Sequence, residues 1–158
     1  MSIIPFEDAV KIFSDTVYRV SLNILKNPED SKDVMQNVFL RYFKHQHTFE
    51  SKEHIKAWLI RVAVNESKRY LKINKTESVS LEEVANTLFV ENKEDGDIFR
   101  AVMSLDEKYR TVILLYYFEG YDVKEIARIL KRNQATVRTQ LSRARELLKS
   151  KLKEDFYE

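Results

Sequence analysis

Basic side chains are concentrated in one stretch near the end of the chain, between Lys131 and Lys153. This stretch holds eight lysines and arginines and a single acid, Glu146, although the net charge of the whole protein is only +2. Arginine donates paired hydrogen bonds to base edges, and both types of cation bind phosphate, so the stretch predicts a DNA-binding surface. The alternative is an ordinary solvated charged face; the local concentration of charge favours DNA.

Two helices separated by a polar break would position these groups. Asp122 is suited to cap the first helix, with Glu125 as its capping-box partner. The break begins at Lys131, and the second helix is predicted to start near Ala135. The residues predicted to face inward are Val123, Ile126, Ala127 and Leu130 in the first helix and Val137, Leu141, Ala144 and Leu148 in the second.

The outer surface of the second helix carries the polar side chains. Arg138, Ser142, Arg145 and Lys149 recur at steps of three and four, and Arg143 lies beside them with Thr139. A helix of this kind can enter the major groove, with its first turns at the base edges and its flanks at the phosphates. The pattern therefore predicts a DNA-binding helix-turn-helix.

Composition limits the fold and the chemistry. The chain has 158 residues with two glycines, two prolines and no cysteine. Glycine and proline are the residues that most often mark turns, and their scarcity favours helices over a sheet of many strands. The absence of cysteine excludes disulfides and thiolate chemistry, and two glycines cannot build a glycine-rich phosphate loop. No signal peptide or apolar run of membrane-spanning length is present, so we expect a soluble, cytoplasmic protein with no membrane insertion.

Charge divides the chain into two mildly basic blocks and an acidic spacer. Residues 1–72 have a net charge of +3, residues 73–96 of −4 and residues 97–158 of +3. We therefore predict an all-α protein of two small helical domains, joined by a flexible acidic linker over residues 73–96, with the helix-turn-helix in the second domain. Two tethered binding modules would each raise the effective concentration of the other.

The first block is predicted to hold three or four helices. Apolar periodicity predicts one helix over residues 6–26, ended by Pro28 because the residue before a proline is driven out of the helical region. Asp30 or Ser31 is the expected cap of the second helix, and the third is expected to start near Ile55. The predicted inward residues are Val34, Met35, Val38, Phe39, Tyr42 and Phe43 in the second helix and Ile55, Trp58, Leu59, Val62 and Ala63 in the third.

The spacer and the start of the second block have weaker patterns. The segment SLEEVANTLF within the spacer has some helical character, and ENKEDG at its end is typical of a linker. The second block is predicted to begin at about Asp97 with a short helix. That helix should end near Leu105, and another should run from Asp106 through Phe118.

Two long strings of the sequence resemble a known family. The string MSLDEKYRTVILLYYFEGYDVKEIARILKRNQATVRTQLSRARELLKSKL resembles region 4 of sigma-70-family factors of the extracytoplasmic-function (ECF) group. The string NPEDSKDVMQNVFLRYFKHQHTFESKEHIKAWLIRVAVNESKRYL is similar to their region 2. The family often has glycine where Lys131 stands. Either the turn differs here, or Lys131 or Asn133 takes a positive φ.

The resemblance implies a promoter-recognition role without a cofactor or a catalytic residue. The second domain would recognise the −35 element, with base-edge contacts from Arg138, Thr139 and Ser142 and phosphate contacts from Thr136, Arg143 and Arg145. The first domain would bind the coiled coil of the core RNA polymerase β′ subunit and hold the melted −10 element. The residues implied for polymerase binding are Asp33, Gln36, Asn37, Phe39 and Leu40. Those implied for the −10 strand are Arg61, Asn65, Lys68, Arg69 and Lys72, together with the loop from Thr48 to Lys56.

Several alternatives stay open at this point. Phe39 could be a core residue instead of a docking residue, and core packing is the favoured interpretation of Trp58. His45 and His47 form an H-x-H pair, but positions i and i+2 of a helix point to different sides and no third ligand is apparent. His54 is the only other histidine, so we expect no metal site. A dimeric helix-turn-helix regulator that binds operators without polymerase is the main rival function. The resemblance also implies an inhibitory anti-sigma partner.

Overall fold

The computed structural model describes residues 3–45, 48–74 and 93–157, and all the regular structure in these ranges is helical. The described residues fall into two compact units, one within residues 1–78 and the other within residues 79–158. The prediction of an all-α fold is confirmed. The predicted helix at SLEEVANTLF lies outside the described residues, as does most of the predicted linker.

The first unit consists of three helices that pack against one another, and they run as α1 Phe6–Leu25, α2 Pro28–His45 and α3 Lys52–Ile73. Helix α1 ends as predicted, with Lys26 in the left-handed region (φ 55°) just before Asn27 and Pro28. The largest fully buried side chains of this unit include Leu22, Tyr42 and Ile60.

The start of α2 differs from the prediction. The helix begins at Pro28, and the side-chain oxygen of Asn27 accepts the backbone N–H of Asp30 at 3.1 Å. Neither Asp30 nor Ser31 is therefore the cap. Proline lacks an N–H and has a helical φ already, so it is favoured at the first position of a helix. Asp30 instead accepts a hydrogen bond from the Tyr70 hydroxyl of α3 at 2.9 Å.

The predicted buried stripes of the first unit are largely present, with exceptions on α2 and at Trp58 of α3, which is only half-buried. Val34, Val38, Phe39 and Tyr42 are buried, but Met35 is only half-buried and Phe43 is 55% exposed. The Phe43 ring packs edge-on against Phe6 of α1, with 5.1 Å between the ring centroids. Helix α3 begins at Lys52, earlier than predicted, because Ser51 caps it by accepting the His54 N–H at 3.0 Å.

The second unit contains α4 Lys93–Met103, α5 Glu107–Ile113, α6 Val123–Leu130 and α7 Gln134–Tyr157, and a π-helical turn, Leu114–Phe118, continues α5. Helix α4 begins at Lys93, four residues before the start predicted for the first helix of this block, so part of ENKEDG is helical. Gly96 therefore lies inside a helix. A glycine there lowers helix stability by roughly 1 kcal/mol relative to alanine, and the other helix-forming residues can offset this loss.

One buried cation stabilises the junction of α4 and α5. Arg110 is 5% exposed, and it donates a hydrogen bond to the carbonyl oxygen of Leu105. Burial lowers the pKa of the Arg110 guanidinium, while Glu107 and Asp106 oppose that shift. The arginine thus bonds to a carbonyl at the end of the α4–α5 turn, where a helix leaves backbone acceptors unsatisfied.

The helix-turn-helix forms as predicted between α6 and α7. The predicted capping box is present: Glu125 N–H donates to the Asp122 carboxylate at 2.8 Å, and Asp122 N–H donates to Glu125 at 3.1 Å. Lys131 takes the positive φ, at 54°, and the N–H of Arg132 bonds the carbonyl oxygen of Ala127 at 2.9 Å. This is the 6→1 bond of a Schellman turn.

We predict that Lys131→Gly stabilises the second unit. Glycine adopts a positive φ without a Cβ clash, so the substitution relieves backbone strain in the folded state. It also raises the entropy of the unfolded chain, but the relief of strain should be larger. We expect the free energy of unfolding to rise by about 0.5–1 kcal/mol. Calorimetry of the full chain measures the change. The matched control is Lys124→Gly, at an exposed position inside α6, which should lower stability by a similar amount. A Lys131→Gly variant less stable than the wild type would contradict the prediction.

A pH dependence is predicted for the first unit. The hydrogen bond to Asp30 raises the pKa of the Tyr70 hydroxyl above 10.0, and desolvation adds to the shift. The unfolded chain loses this proton first as pH rises, so the stabilisation is complete below pH 10 and is lost as pH rises through the folded pKa. Urea unfolding can be followed by the emission wavelength of Trp58, the single tryptophan. Above pH 10 the free energy of unfolding should fall less in Tyr70→Phe than in the wild type. An identical loss in both proteins would refute this role.

Candidate nucleic-acid and partner interfaces

Helix α7 is fixed at its start by a polar cap and along its length by three apolar side chains. The Asn133 side-chain oxygen accepts the backbone N–H of Thr136 at 2.9 Å and its hydroxyl at 2.6 Å. Val137, Leu141 and Ala144 are at most 1% exposed. Because one arc of the helix is buried in this way, Arg138 and Ser142, which lie between these residues, are directed outward.

Four of the residues predicted to contact DNA lie together on the exposed arc of α7. Arg138, Thr139, Ser142 and Arg143 are all exposed, and they line one open depression. Glu146 also lines it and is the only acid there among the described residues. The surface presents two guanidinium groups and two hydroxyls, which are donors for phosphate oxygens and base-edge acceptors.

Thr136 lies in a second open hollow, at the start of α7. This hollow is also lined by Arg143 of α7 and by Lys108 of α5. The Lys108 ammonium is 5.1 Å from the centre of the Tyr109 ring. Sequence reasoning missed Lys108, because nothing in the pattern of α5 indicates that its first turn lies near the start of α7. Lys108 adds a cation to the surface predicted from α7 alone.

Arg145 is placed differently from the other predicted contacts. Its Nε donates to the Tyr117 hydroxyl at 2.7 Å, and its guanidinium carbon lies 5.3 and 5.7 Å from the centres of the Tyr116 and Tyr117 rings. Tyr117 is 54% exposed. The two tyrosines thus lie at the surface against the basic stripe of α7.

The cations and the amide predicted for the −10 strand share one face of α3. Asn65, Arg69 and Lys72 are exposed, whereas Arg61 and Lys68 are half-buried. The nearby acid on this helix, Glu66, is paired with Arg41 of α2 at 2.6 Å. This pairing partly neutralises a carboxylate beside the basic face, which favours an anionic partner.

The loop before α3 is attached to the unit by an aromatic side chain that sequence reasoning missed. Phe49 is 6% exposed, and its ring centre lies 5.5 Å from that of Tyr42, 5.4 Å from that of Trp58 and 5.1 Å from that of His54. Trp58 is only half-buried in this cluster, so its ring packs at the edge of the core. The Glu50 N–H also donates to His54 Nδ1 at 3.3 Å. The contacts hold the loop against the helices that flank it.

The predicted polymerase-docking residues separate into two groups on α2. Asp33, Gln36, Asn37 and Leu40 are exposed at steps of three and four, and Leu40 is 57% exposed. Phe39 is only 7% exposed, as its place in the predicted buried stripe requires, which favours the core interpretation of this residue. The side chain of residue 39 points away from that of Asp33 around the helix, because six residues correspond to well over one and a half turns.

Other site types gain no support from the described residues. In residues 3–45, 48–74 and 93–157, no group of three or more His, Cys, Asp or Glu side chains could hold a metal ion. His45 packs against Trp58 with 6.2 Å between ring centres, and His47 lies outside the described residues. None of the helices searched in those ranges is sufficiently long and apolar to cross a membrane.

Comparison with protein families matches each unit separately. Residues 9–76 match the family described as Sigma-70 region 2, and residues 96–148 match the family described as Sigma-70, region 4. The first match covers α1 to α3 and contains the α2 and α3 faces. The second covers the helix-turn-helix and the exposed arc of α7.

Relatives match over most of their length. The chain is 28% identical to the ECF RNA polymerase sigma factor SigW of Bacillus subtilis (strain 168), covering 94% of this chain and 89% of that protein. It is 31% identical to the RNA polymerase sigma factor SigV of the same organism, covering 87% and 86%. The sigma factor RpoE, solved in complex with the anti-sigma factor NepR from Bartonella quintana, shares the fold with a TM-score of 0.73 at 20% identity, over 94% of this chain and 96% of that one.

Proposed function

The chain belongs to the ECF group of the sigma-70 family, whose members act with RNA polymerase in promoter-specific initiation, and we propose how its two units divide that work. Factors of this family are not enzymes, so the polymerase carries out the chemistry. Residues 1–72 bind core polymerase and the −10 element, residues 97–158 bind the −35 element, and residues 73–96 link them. This activity belongs in the cytoplasm, with the polymerase and the promoter.

The exposed arc of α7 is the observation that carries the proposal. Arg138, Thr139 and Ser142 extend from a helix whose opposite arc is buried, in the arrangement that places a recognition helix in the major groove. An arginine that bonds both acceptors of a guanine contributes roughly 1–3 kcal/mol of discrimination. We therefore assign base contacts to these three residues, and phosphate contacts to Thr136, Arg143 and Arg145.

The face of α3 suits a melted −10 strand. Single strands bind where cations follow the backbone and where polar or aromatic groups hold unstacked bases. Arg61, Lys68, Arg69 and Lys72 supply the cations, and exposed Asn65 supplies an amide that can bond a base edge. The adjoining loop, held by Phe49, would give the separated bases a preformed surface.

The exposed face of α2 suits a helical partner, for which we propose the β′ coiled coil of the polymerase. Asp33 offers a carboxylate, Gln36 and Asn37 offer amides, and Leu40 offers an apolar contact on the same face. Helix-in-groove and helix-on-helix contacts are typically specified by such residues at i, i+3, i+4 and i+7. Phe39 supports this face from beneath because its side chain is in the core.

An anti-sigma factor is a further proposed partner. The solved relative RpoE was captured with the anti-sigma factor NepR. In this chain Ile12, Leu40 and Phe43 of the first unit and Phe118 of the second are large apolar side chains with between 49% and 64% of their surface exposed. Leu40 and Phe43 are three residues apart on α2, and neighbouring exposed apolar groups are typical of a partner-binding surface. A pulldown that returned polymerase subunits alone, under inducing and non-inducing conditions, would count against such a partner.

Run-off transcription tests the proposed function. Purified core polymerase would be supplied with a pool of genomic promoter fragments, with and without the full chain. We expect transcripts from a defined subset of fragments only when the chain is present. If the chain stimulated no transcription but bound duplex DNA tightly by itself, a dimeric regulator would be the better account.

The docking face gives a prediction with an internal control. Asp33→Ala and Leu40→Ala should weaken core polymerase binding and leave the fold intact, because both side chains are exposed. Phe39→Ala should instead destabilise the first unit by about 3–5 kcal/mol, because it removes a buried ring. Circular dichroism separates folding from binding. Normal core binding by the two folded variants, Asp33→Ala and Leu40→Ala, would show that the docking face lies elsewhere.

The recognition helix gives a second prediction. Arg138→Ala should reduce transcription from the cognate promoter and relax the preference at one −35 position, whereas Arg143→Ala should weaken binding to all sequences alike. A library of −35 variants measures both effects, expected at about tenfold. Retention of the full sequence preference by Arg138→Ala would refute its role at the base edge.

A further inference from the structure

One arginine of α7 is held by aromatic side chains from another helix. Arg145 Nε donates to the Tyr117 hydroxyl at 2.7 Å, and the guanidinium carbon lies within 6 Å of two tyrosine ring centres. The Tyr116 and Tyr117 rings themselves meet edge to face at 4.9 Å. The arginine thus has a hydrogen bond and two cation–π contacts, although it is exposed.

The other arginines on the exposed arc lack this support. Arg138 and Arg143 are exposed on the same helix, and neither has a hydrogen-bond or ion-pair partner within the part of the chain that the structure describes. An arginine side chain loses rotamer freedom when it binds a target, and a side chain that is already ordered loses less. Arg145 is therefore the preorganised cation of this surface.

The π-helical turn explains why two consecutive tyrosines lie beside one guanidinium. The Glu119 N–H bonds the Leu114 carbonyl oxygen at 3.0 Å, five residues back, so the turn holds more residues than an α-helical turn. Single π-turns inside helices occur frequently at functional sites. Here the turn ends α5 with the hydroxyl of Tyr117 within hydrogen-bonding distance of α7.

We propose that Tyr117 is a positioning residue, which presents Arg145 to one phosphate of the DNA beside the −35 element. This inference rests on the proposed function. The hydrogen bond to Tyr117 occupies Nε, on one edge of the guanidinium plane. The terminal nitrogens carry the remaining donors and can bond phosphate oxygens in pairs. Tyr117 thus acts on DNA binding through Arg145, without touching the DNA.

The test uses the full chain assembled with core polymerase. Binding to a labelled promoter duplex that contains the −35 element is measured at graded KCl concentrations. The variants are Tyr117→Phe, which removes only the hydroxyl, Arg145→Ala and the double variant. Tyr116→Phe is the matched control, because its ring stacks on the same guanidinium but its hydroxyl makes no hydrogen bond among the described residues. Thermal unfolding checks that each variant is folded.

The expected results separate positioning from stability. Arg145→Ala should reduce the slope of log affinity against log salt by about one unit, as the loss of one phosphate contact requires. Tyr117→Phe should weaken binding about threefold in the wild-type background. It should have no effect when Arg145 is already alanine, whereas a merely structural role would give the same loss in both backgrounds. Tyr116→Phe should bind like the wild type.

Two outcomes would overturn the inference alone. In both, the wild-type complex still binds the promoter and initiates. In the first, Tyr117→Phe lowers the DNA affinity equally in the wild-type and the Arg145→Ala backgrounds. In the second, Arg145→Ala leaves both the DNA affinity and its salt slope unchanged. A wild-type chain that neither binds the promoter nor initiates with core polymerase would overturn the proposed function, and this inference with it.

Discussion

The orientation of the recognition helix depends on a three-residue turn with one residue of positive φ. Lys131 reverses the chain at the end of α6, Arg132 bonds back to Ala127, and Asn133 already caps α7. No residue in this turn is left to adjust the angle between the helices. The direction in which Arg138 points is therefore fixed by backbone geometry, together with the burial of Val137. A side chain that bonds a base edge needs a backbone whose position is fixed, because small displacements break paired hydrogen bonds.

The first unit can offer two separate binding faces because α2 and α3 each keep one side exposed to solvent. Helix α2 presents Asp33 and Leu40 to solvent, and α3 presents Asn65 and Arg69. The faces belong to one packed core, so a partner bound to α2 and a strand bound to α3 would be held in a fixed relation. The aromatic cluster around Phe49 extends that rigidity to the loop that precedes α3.

Local patterns were sufficient to predict much of the fold, and non-local contacts were not. The capping box of Asp122 and Glu125 was predictable because its partners are three residues apart. The periodicity of α2 predicted an apolar stripe that includes Phe39, but it could not show that Phe43 stays exposed, since that depends on how α1 packs. The bond between Arg145 and Tyr117 joins residues 28 positions apart across a π-turn, so no helical spacing could indicate it. Family resemblance supplied the roles at the site, and the structure supplied the exposure that those roles require.

We propose that the promoter strands separate only when the chain acts together with core polymerase, and permanganate footprinting measures that separation. Permanganate oxidises unpaired thymines, so a promoter selected by run-off transcription can be probed with the chain alone, with core polymerase alone and with both. The account predicts reactive thymines at the −10 element only when both are present, and weaker reactivity in the Asn65→Ala variant. Protection of two duplex half-sites by the chain alone, without reactive thymines under any condition, would contradict the account and identify a dimeric regulator.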